Sequence, residues 1–205
     1  MNDYFNPINK KEPFNHWIFK DVFFQGMIND LCNLNLQKPL IMKNDGTREA
    51  NNESRIFFNE ENCKNYPIFQ DVVNIFNNEN NKKELSRLTN LNLNKGNLRI
   101  EYTIDSGNFW LAKHTDIADK MITFLIYLNN SPTNQEWGTT LYNRDYSLYG
   151  NCPHGENIGM LFVPGKDTVH GFEKKSIVGQ RKSLIINYVL NWKHVQELSP
   201  SKTFV

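Results

Sequence analysis

Five residues in the C-terminal half have the types and spacing to hold a metal ion and bind an acid beside it. His114 and Asp116 stand two apart in LAKHTDI, and His170 follows in FVPGKDTVHGF. The flanking Val, Ile, Phe and Tyr favour the extended state, in which residues two apart point to the same side of one strand. The spacing therefore predicts His114 and Asp116 on a shared strand face, with the second imidazole supplied by a distant strand. Two imidazoles and one carboxylate can occupy one face of an octahedral Fe(II) and leave the opposite face open. Both ligand types can be deprotonated near neutral pH. Arg181 and Ser183 lie in QRKSLIINYV, two apart and so on one face of their own strand. A guanidinium is a permanently charged fork that binds a carboxylate at two points, and the serine hydroxyl adds a third donor. An unpaired guanidinium in an apolar strand is costly, so a buried anion is expected beside Arg181.

The order HTD, then His, then R-x-S, with the H-x-D strand followed by an apolar strand ending in YLN, resembles the 2-oxoglutarate and Fe(II)-dependent dioxygenases. The likeness is greatest to their prolyl-hydroxylase-like branch and covers roughly residues 13 to 192. It includes PFNHWIFKDVF as the family's first strand and the entry to its first helix. WGTTLY is similar to a segment that the family writes with a Gly-Gly pair before a leucine. Thr139 stands in place of the second glycine, a departure that removes no ligand.

The resemblance implies that His114, Asp116 and His170 are the metal ligands and catalytic centre. It implies 2-oxoglutarate as co-substrate, its far carboxylate on Arg181 and Ser183, with Tyr102 or Tyr127 on the flanking strands as a further contact. It also implies O2 as oxidant, hydroxylation of an unactivated C–H bond in a protein side chain, amino acid or small metabolite, and release of succinate and CO2. Asp116 favours hydroxylation, because the related halogenases carry a small residue there. Trp110 shares the alternation phase of His114 and is a candidate for lining the cavity, with Thr123 and Asn187 as weaker candidates.

Groups brought from several strands need a sheet-rich scaffold. At 205 residues and 24.1 kDa the chain suits one domain, 1–205, able to bury a core without staples. Residues 1–95 read as helical support and variable region, and 96–192 as the core carrying the metal site. After Gly96, seven segments from LRIEYTID to RKSLIINYVLNW alternate or run apolar as strands do, preceded by helices instead of interleaved with them. That pattern predicts a mainly β fold with helical buttresses, a double-stranded β-helix of the jelly-roll, cupin-like kind. Asp21 is placed to cap a helix through VFFQGMINDLCNL, with Phe24, Met27, Ile28 and Leu31 on one face. Tyr66-Pro67 opens a second helix carrying Phe69, Val72, Val73 and Phe76 on one side. NNENNKKELSRLTN reads as a third short helix or a loop. Residues 1–12 read as a polar arm, 37–65 as a mixed region with short strands at 40–43 and 55–58, and 143–156 as a long surface loop. KKSIVGQ joins the last two strands.

A net charge of +1 and a pI near 7.7 give no general electrostatic case for nucleic acid or an anionic membrane. Cys32, Cys63 and Cys152 are odd in number and unpaired in spacing, as reduced thiols are. No apolar run reaches the ~20 residues that span a bilayer, and the N-terminus lacks a signal peptide's apolar region, so a cytoplasmic protein is expected. Nothing in the sequence points to a particular oligomeric state. There are two rival readings: a cupin-like metal-binding isomerase or non-catalytic binding module with His and Asp around a divalent ion, and a jelly-roll coat or interaction domain in which the triad is coincidental. Arg181 argues against the isomerase, which has no need of a carboxylate clamp.

Overall fold

The structure is a computed structural model describing residues 6–36, 45–47, 55–129 and 136–201. In chain order its strands are β1 (Ile8–Lys10), β2 (His16–Phe19), β3 (Ile56–Phe57), β4 (Asn97–Gly107), β5 (Leu111–His114), β6 (Lys120–Tyr127), β7 (Thr140–Tyr142), β8 (Leu148–Asn151), β9 (Gly159–Phe162), β10 (His170–Phe172) and β11 (Ile177–Val189). Helices α1 (Gln25–Asn33), α2 (Glu60–Asn65), α3 (Pro67–Asn77) and α4 (Glu79–Thr89) all precede β4. A seven-stranded sheet runs β1-β2-β9-β6-β11-β4-β3 and a four-stranded sheet runs β5-β10-β7-β8, with every described pairing antiparallel. This is the expected double-stranded β-helix with helical buttresses.

Alternation along the strands of the large sheet makes two interiors. On β4 the even-numbered Leu98, Ile100, Tyr102 and Ile104 pack into the core shared with Ile28, Leu31, Phe69, Val72 and Phe76 of the helices. Fully burying side chains of this kind contributes about 1.5–3 kcal/mol each. Phe58 stacks on Phe69 with ring centroids 3.8 Å apart. Pro67 opens α3, where its missing N–H leaves no bond unmade. The odd-numbered Arg99, Glu101, Thr103 and Asp105 are also buried, on the opposite face. That face looks into the space between the sheets, beside a second core of Ile18, Leu125, Tyr127, Leu141, Met160 and Phe162. The link from β10 to β11 crosses from the small sheet to the large one. His170 and Arg181 therefore reach this space from different sheets.

Several expectations are corrected. Asp21 does not cap α1: it has φ 53°, and the helix begins after Phe24 with no side-chain cap. Asn157 ties this segment down instead, accepting from Phe23 N at 2.9 Å and donating to Phe23 O at 2.8 Å. Phe24 is 58 % exposed, so only Ile28 and Leu31 of the predicted apolar face are fully buried. Residues 37–65 include α2, capped by the Asn59 side chain, and β3 lies within the strand expected at 55–58. The strand expected at 40–43 lies outside the described residues. The supposed loop 143–156 contains β8, the polar arm contains β1, and Ile177–Gln180 belongs to β11 and not to a connection. β1, β2 and β3, all N-terminal to residue 95, extend the large sheet at both ends. β1 and β8 are short, mostly exposed edge strands, and such strands carry little apolar alternation to read. Gly138 of WGTT keeps its role: a Cβ there would lie 1.7 Å from the Cys152 carbonyl oxygen, so this close backbone approach requires glycine.

Candidate metal centre

β5 ends at His114, so Asp116 reaches the centre from the loop beyond it and not from a shared strand. His114 and His170 are partners across the β5–β10 ladder, with ring centroids 4.5 Å apart. One donor atom from each of His114, Asp116 and His170 lies within 4.8 Å of the others, and His170 Nε2 is 4.0 Å from Asp116 Oδ2. His114 Nδ1 is 2.8 Å from Ala112 O, and His170 Nδ1 is 2.9 Å from Thr168 O. A carbonyl only accepts, so these contacts assign the ring proton to Nδ1 and make Nε2 the nitrogen of each ring that could ligate a metal.

The protonation states also suit a cation. Burial alone would raise the Asp116 pKa. The adjacent Lys120 charge, His170 and hydrogen bonds from Lys120 and Thr123 together outweigh that and hold the carboxyl well below the usual range. Lys120 Nζ donates to Oδ1 at 2.5 Å and Thr123 Oγ1 to Oδ2 at 2.6 Å, with Asn187 Oδ1 3.1 Å from the same threonine oxygen. Burial lowers the His170 pKa to about 4 against the raising effect of Asp116, so the imidazole is neutral at pH 7. Three deprotonated donors facing one point, each oriented from behind, fit a divalent cation, and two imidazoles with one carboxylate suit Fe(II).

Arg181, nearly fully buried, lines the same cavity as the three ligands. The anion expected beside it is Asp105, its cross-strand partner, which accepts from Nη1 at 2.6 Å. Nε donates to Trp137 O at 2.7 Å, and the guanidinium lies 4.6 Å from the Phe172 ring centroid and 5.4 Å from that of Tyr127. Nη2 keeps no protein partner among the described residues. Ser183 Oγ is 2.8 Å from Thr103 Oγ1, and both residues line the cavity.

Neither tyrosine stands as expected. Tyr102 faces the helices, and its hydroxyl donates to Leu31 O at 2.8 Å on the far side of the sheet. Its even number puts it in the apolar phase of β4, a signal already present in the sequence. Tyr127 lies on the correct face, but its hydroxyl is engaged by Thr139 Oγ1 at 2.8 Å and Thr139 N at 2.9 Å, and the ring backs Arg181. Trp110 lines an outer groove with Lys113, Tyr142 and Glu173, against Gly46, and does not line the cavity. Thr123 and Asn187 do reach the centre, through Asp116. Sequence reasoning missed Lys120, Asp105, Glu101 and Arg55, all of which line the cavity. The polar odd-numbered row on β4 was the signal for two of them.

No family model matches the sequence, and no curated protein matches it. Solved structures do. AviO1 from Streptomyces viridochromogenes Tue57 is 12 % identical with a TM-score of 0.58, covering 86 % of this chain and 90 % of that one. The viral collagen prolyl hydroxylase vCPH from Paramecium Bursaria Chlorella virus-1, in its 2OG complex, is 13 % identical with a TM-score of 0.56 over 85 % of this chain and 96 % of that one. A prolyl hydroxylase from Trichoplax adhaerens, in complex with a hypoxia inducible factor peptide fragment, is 12 % identical with a TM-score of 0.54 over 85 % and 83 %. At such identities the likeness is one of fold. The chain has the double-stranded β-helix fold of the prolyl-hydroxylase-like 2-oxoglutarate and Fe(II) oxygenases.

Proposed function

We propose that the protein is a 2-oxoglutarate- and Fe(II)-dependent oxygenase that hydroxylates an unactivated C–H bond of a protein side chain, an amino acid or a small metabolite. The observation that carries this reading is the convergence of His114, Asp116 and His170 in a cavity whose facing sheet supplies a buried guanidinium. His114 Nε2, His170 Nε2 and the Asp116 carboxylate would hold Fe(II). Arg181 Nη2 and Ser183 Oγ would hold the far carboxylate of 2-oxoglutarate. Bound iron supplies the redox chemistry that couples O2 and decarboxylation of 2-oxoglutarate, with succinate and CO2 released, to hydroxylation.

The chain's own residues orient and shield. Ala112 O and Thr168 O fix the two rings, Lys120 and Thr123 fix the carboxylate, and Leu125, Ile185, Phe109 and Phe172 give the cavity an apolar wall. The fold shared with vCPH, described in a 2OG complex, and with the peptide-bound Trichoplax enzyme supports the co-substrate and leaves both protein and small-molecule substrates in play. Residues 1–205 are taken as one unit. The three described cysteines are free thiols, which supports a reducing, cytoplasmic setting, and no helix among the described residues is long and apolar enough to cross a membrane.

A second reading, a metal-binding isomerase or binding module without a co-substrate, draws on one observation: Asp105 already pairs Arg181, so the guanidinium has a structural partner. Succinate formation from 2-oxoglutarate in air with Fe(II) separates the two. The oxygenase releases succinate, and His114→Ala and Asp116→Ala abolish that release. A wild-type protein that binds Fe(II) and yields no succinate from any substrate tried favours the second reading.

A further inference from the structure

The cavity wall carries a second buried guanidinium, that of Arg55, whose side chain is 7 % exposed. Nη1 donates to Glu101 Oε2 at 2.5 Å. Glu101 in turn is held in place by Arg99, which donates to Oε1 at 2.9 Å. Arg99 Nε donates to Glu197 Oε2 at 2.8 Å, and its guanidinium lies 4.8 Å from the ring centroids of both Phe57 and Trp192. Glu101 thus serves two guanidiniums from a fixed position and cannot swing to satisfy the rest of Arg55. Among the described residues, Arg55 Nε is buried with no hydrogen-bond partner.

A buried charged donor left unpaired is costly, and native structures supply an acceptor for nearly all such groups. Nε–H lies on the side-on edge of the guanidinium, next to Nη2–H and away from the Glu101 contact on Nη1. Two parallel N–H donors call for two coplanar oxygens, which a carboxylate has and an amide lacks. We infer that Arg55 binds a carboxylate of the primary substrate, which makes that substrate a small carboxylic acid seated between Arg55 and the metal centre. The inference rests on the oxygenase reading, in which Arg181 takes the co-substrate and leaves Arg55 for the molecule to be oxidised.

The test is calorimetry on the full chain with Mn(II) in place of iron. Titration with Mn(II) and then 2-oxoglutarate comes first. The standard amino acids and their neutral carboxamides follow. The expected result is at least one acid bound about tenfold or more tightly than its amide, as expected for a charge-assisted bidentate pair. Arg55→Gln removes that preference. Arg55→Lys, which keeps the charge beside Glu101 and guards against a loss of fold, lowers it, because an ammonium lacks the two parallel N–H donors. Equal binding of acid and amide, no acid bound, or a preference that survives both substitutions overturns the inference. So does Arg55→Lys losing 2-oxoglutarate affinity instead, since Arg55 would then be the co-substrate clamp. Failure of wild-type protein to bind Mn(II) and 2-oxoglutarate would sink the oxygenase reading and this inference with it. Normal binding of both with no acid preference sinks only the role of Arg55.

Discussion

Lys120 Nζ lies 2.5 Å from Asp116 Oδ1, with both side chains almost completely buried. The ammonium neutralises the carboxylate from one side while Oδ2 remains directed toward His170. Removing one partner of a buried pair strands the other charge and costs about 3–5 kcal/mol. Lys120→Met should therefore lower the stability of the metal-free protein by about that amount. A divalent cation should then restore more to the variant than it adds to the wild type, because it replaces the lost charge. Melting temperatures with and without Mn(II) check this, and equal metal-induced increments in the two proteins would contradict it.

Arg181 is held by Asp105, Trp137 O and two aromatic rings before any ligand arrives. Its position costs little to reach on binding, so Arg181→Gln should weaken 2-oxoglutarate by about ten- to a hundredfold. Metal affinity should stay close to wild type, since Arg181 contacts none of the three ligands. Calorimetric titration of Mn(II), then 2-oxoglutarate, separates the two effects. Parallel loss of both would mean that the substitution had disturbed the fold.

The thiols give a prediction in pH. Burial pushes Cys63 up to about 11 and Cys152 up to about 12, the latter against hydrogen bonding from Tyr127 and the Arg181 charge. Burial, with Glu156 adding to it, raises Cys32 to about 11. At pH 8 all three are protonated in the folded chain and should resist iodoacetamide, reacting only in denaturant. In the unfolded chain they titrate near the ordinary value of 9.0. Between pH 9 and about 11–12 the folded state therefore retains protons that the unfolded state has lost, and stability falls as pH rises through that window. Denaturation curves at pH 8 and pH 10 should show lower stability at the higher pH. Rapid alkylation of folded protein at pH 8 would contradict the burial argument.

The candidate ligands were legible from short spacings, even though Asp116 stands on the loop just beyond β5 and not on the strand itself. His114 and Asp116 are close in sequence, and His170 and Arg181 are joined by a short link that crosses between the sheets. The strand pattern after Gly96 was equally plain, since apolar alternation reports directly on a half-buried face. What the sequence concealed was charge buried in pairs. Arg55 and Glu101 are 46 residues apart, and Arg99 and Glu197 are 98 apart, so no local pattern predicts their contact. Lys120 opens β6 as a polar residue at the head of an apolar strand, and nothing local shows that its ammonium turns inward to Asp116. Tyr102 is different: its alternation phase on β4, which decides the side of the sheet that a side chain meets, puts it with the helices and away from the cavity.

The most direct test is anaerobic titration of the protein with Fe(II) and then 2-oxoglutarate, followed by visible absorption. Chelation of the keto acid to iron held by His114, Asp116 and His170 should produce a charge-transfer band in the wild type that is lost in His170→Ala. No band in the wild type, or a band that persists in His170→Ala, would contradict the assignment of the metal centre.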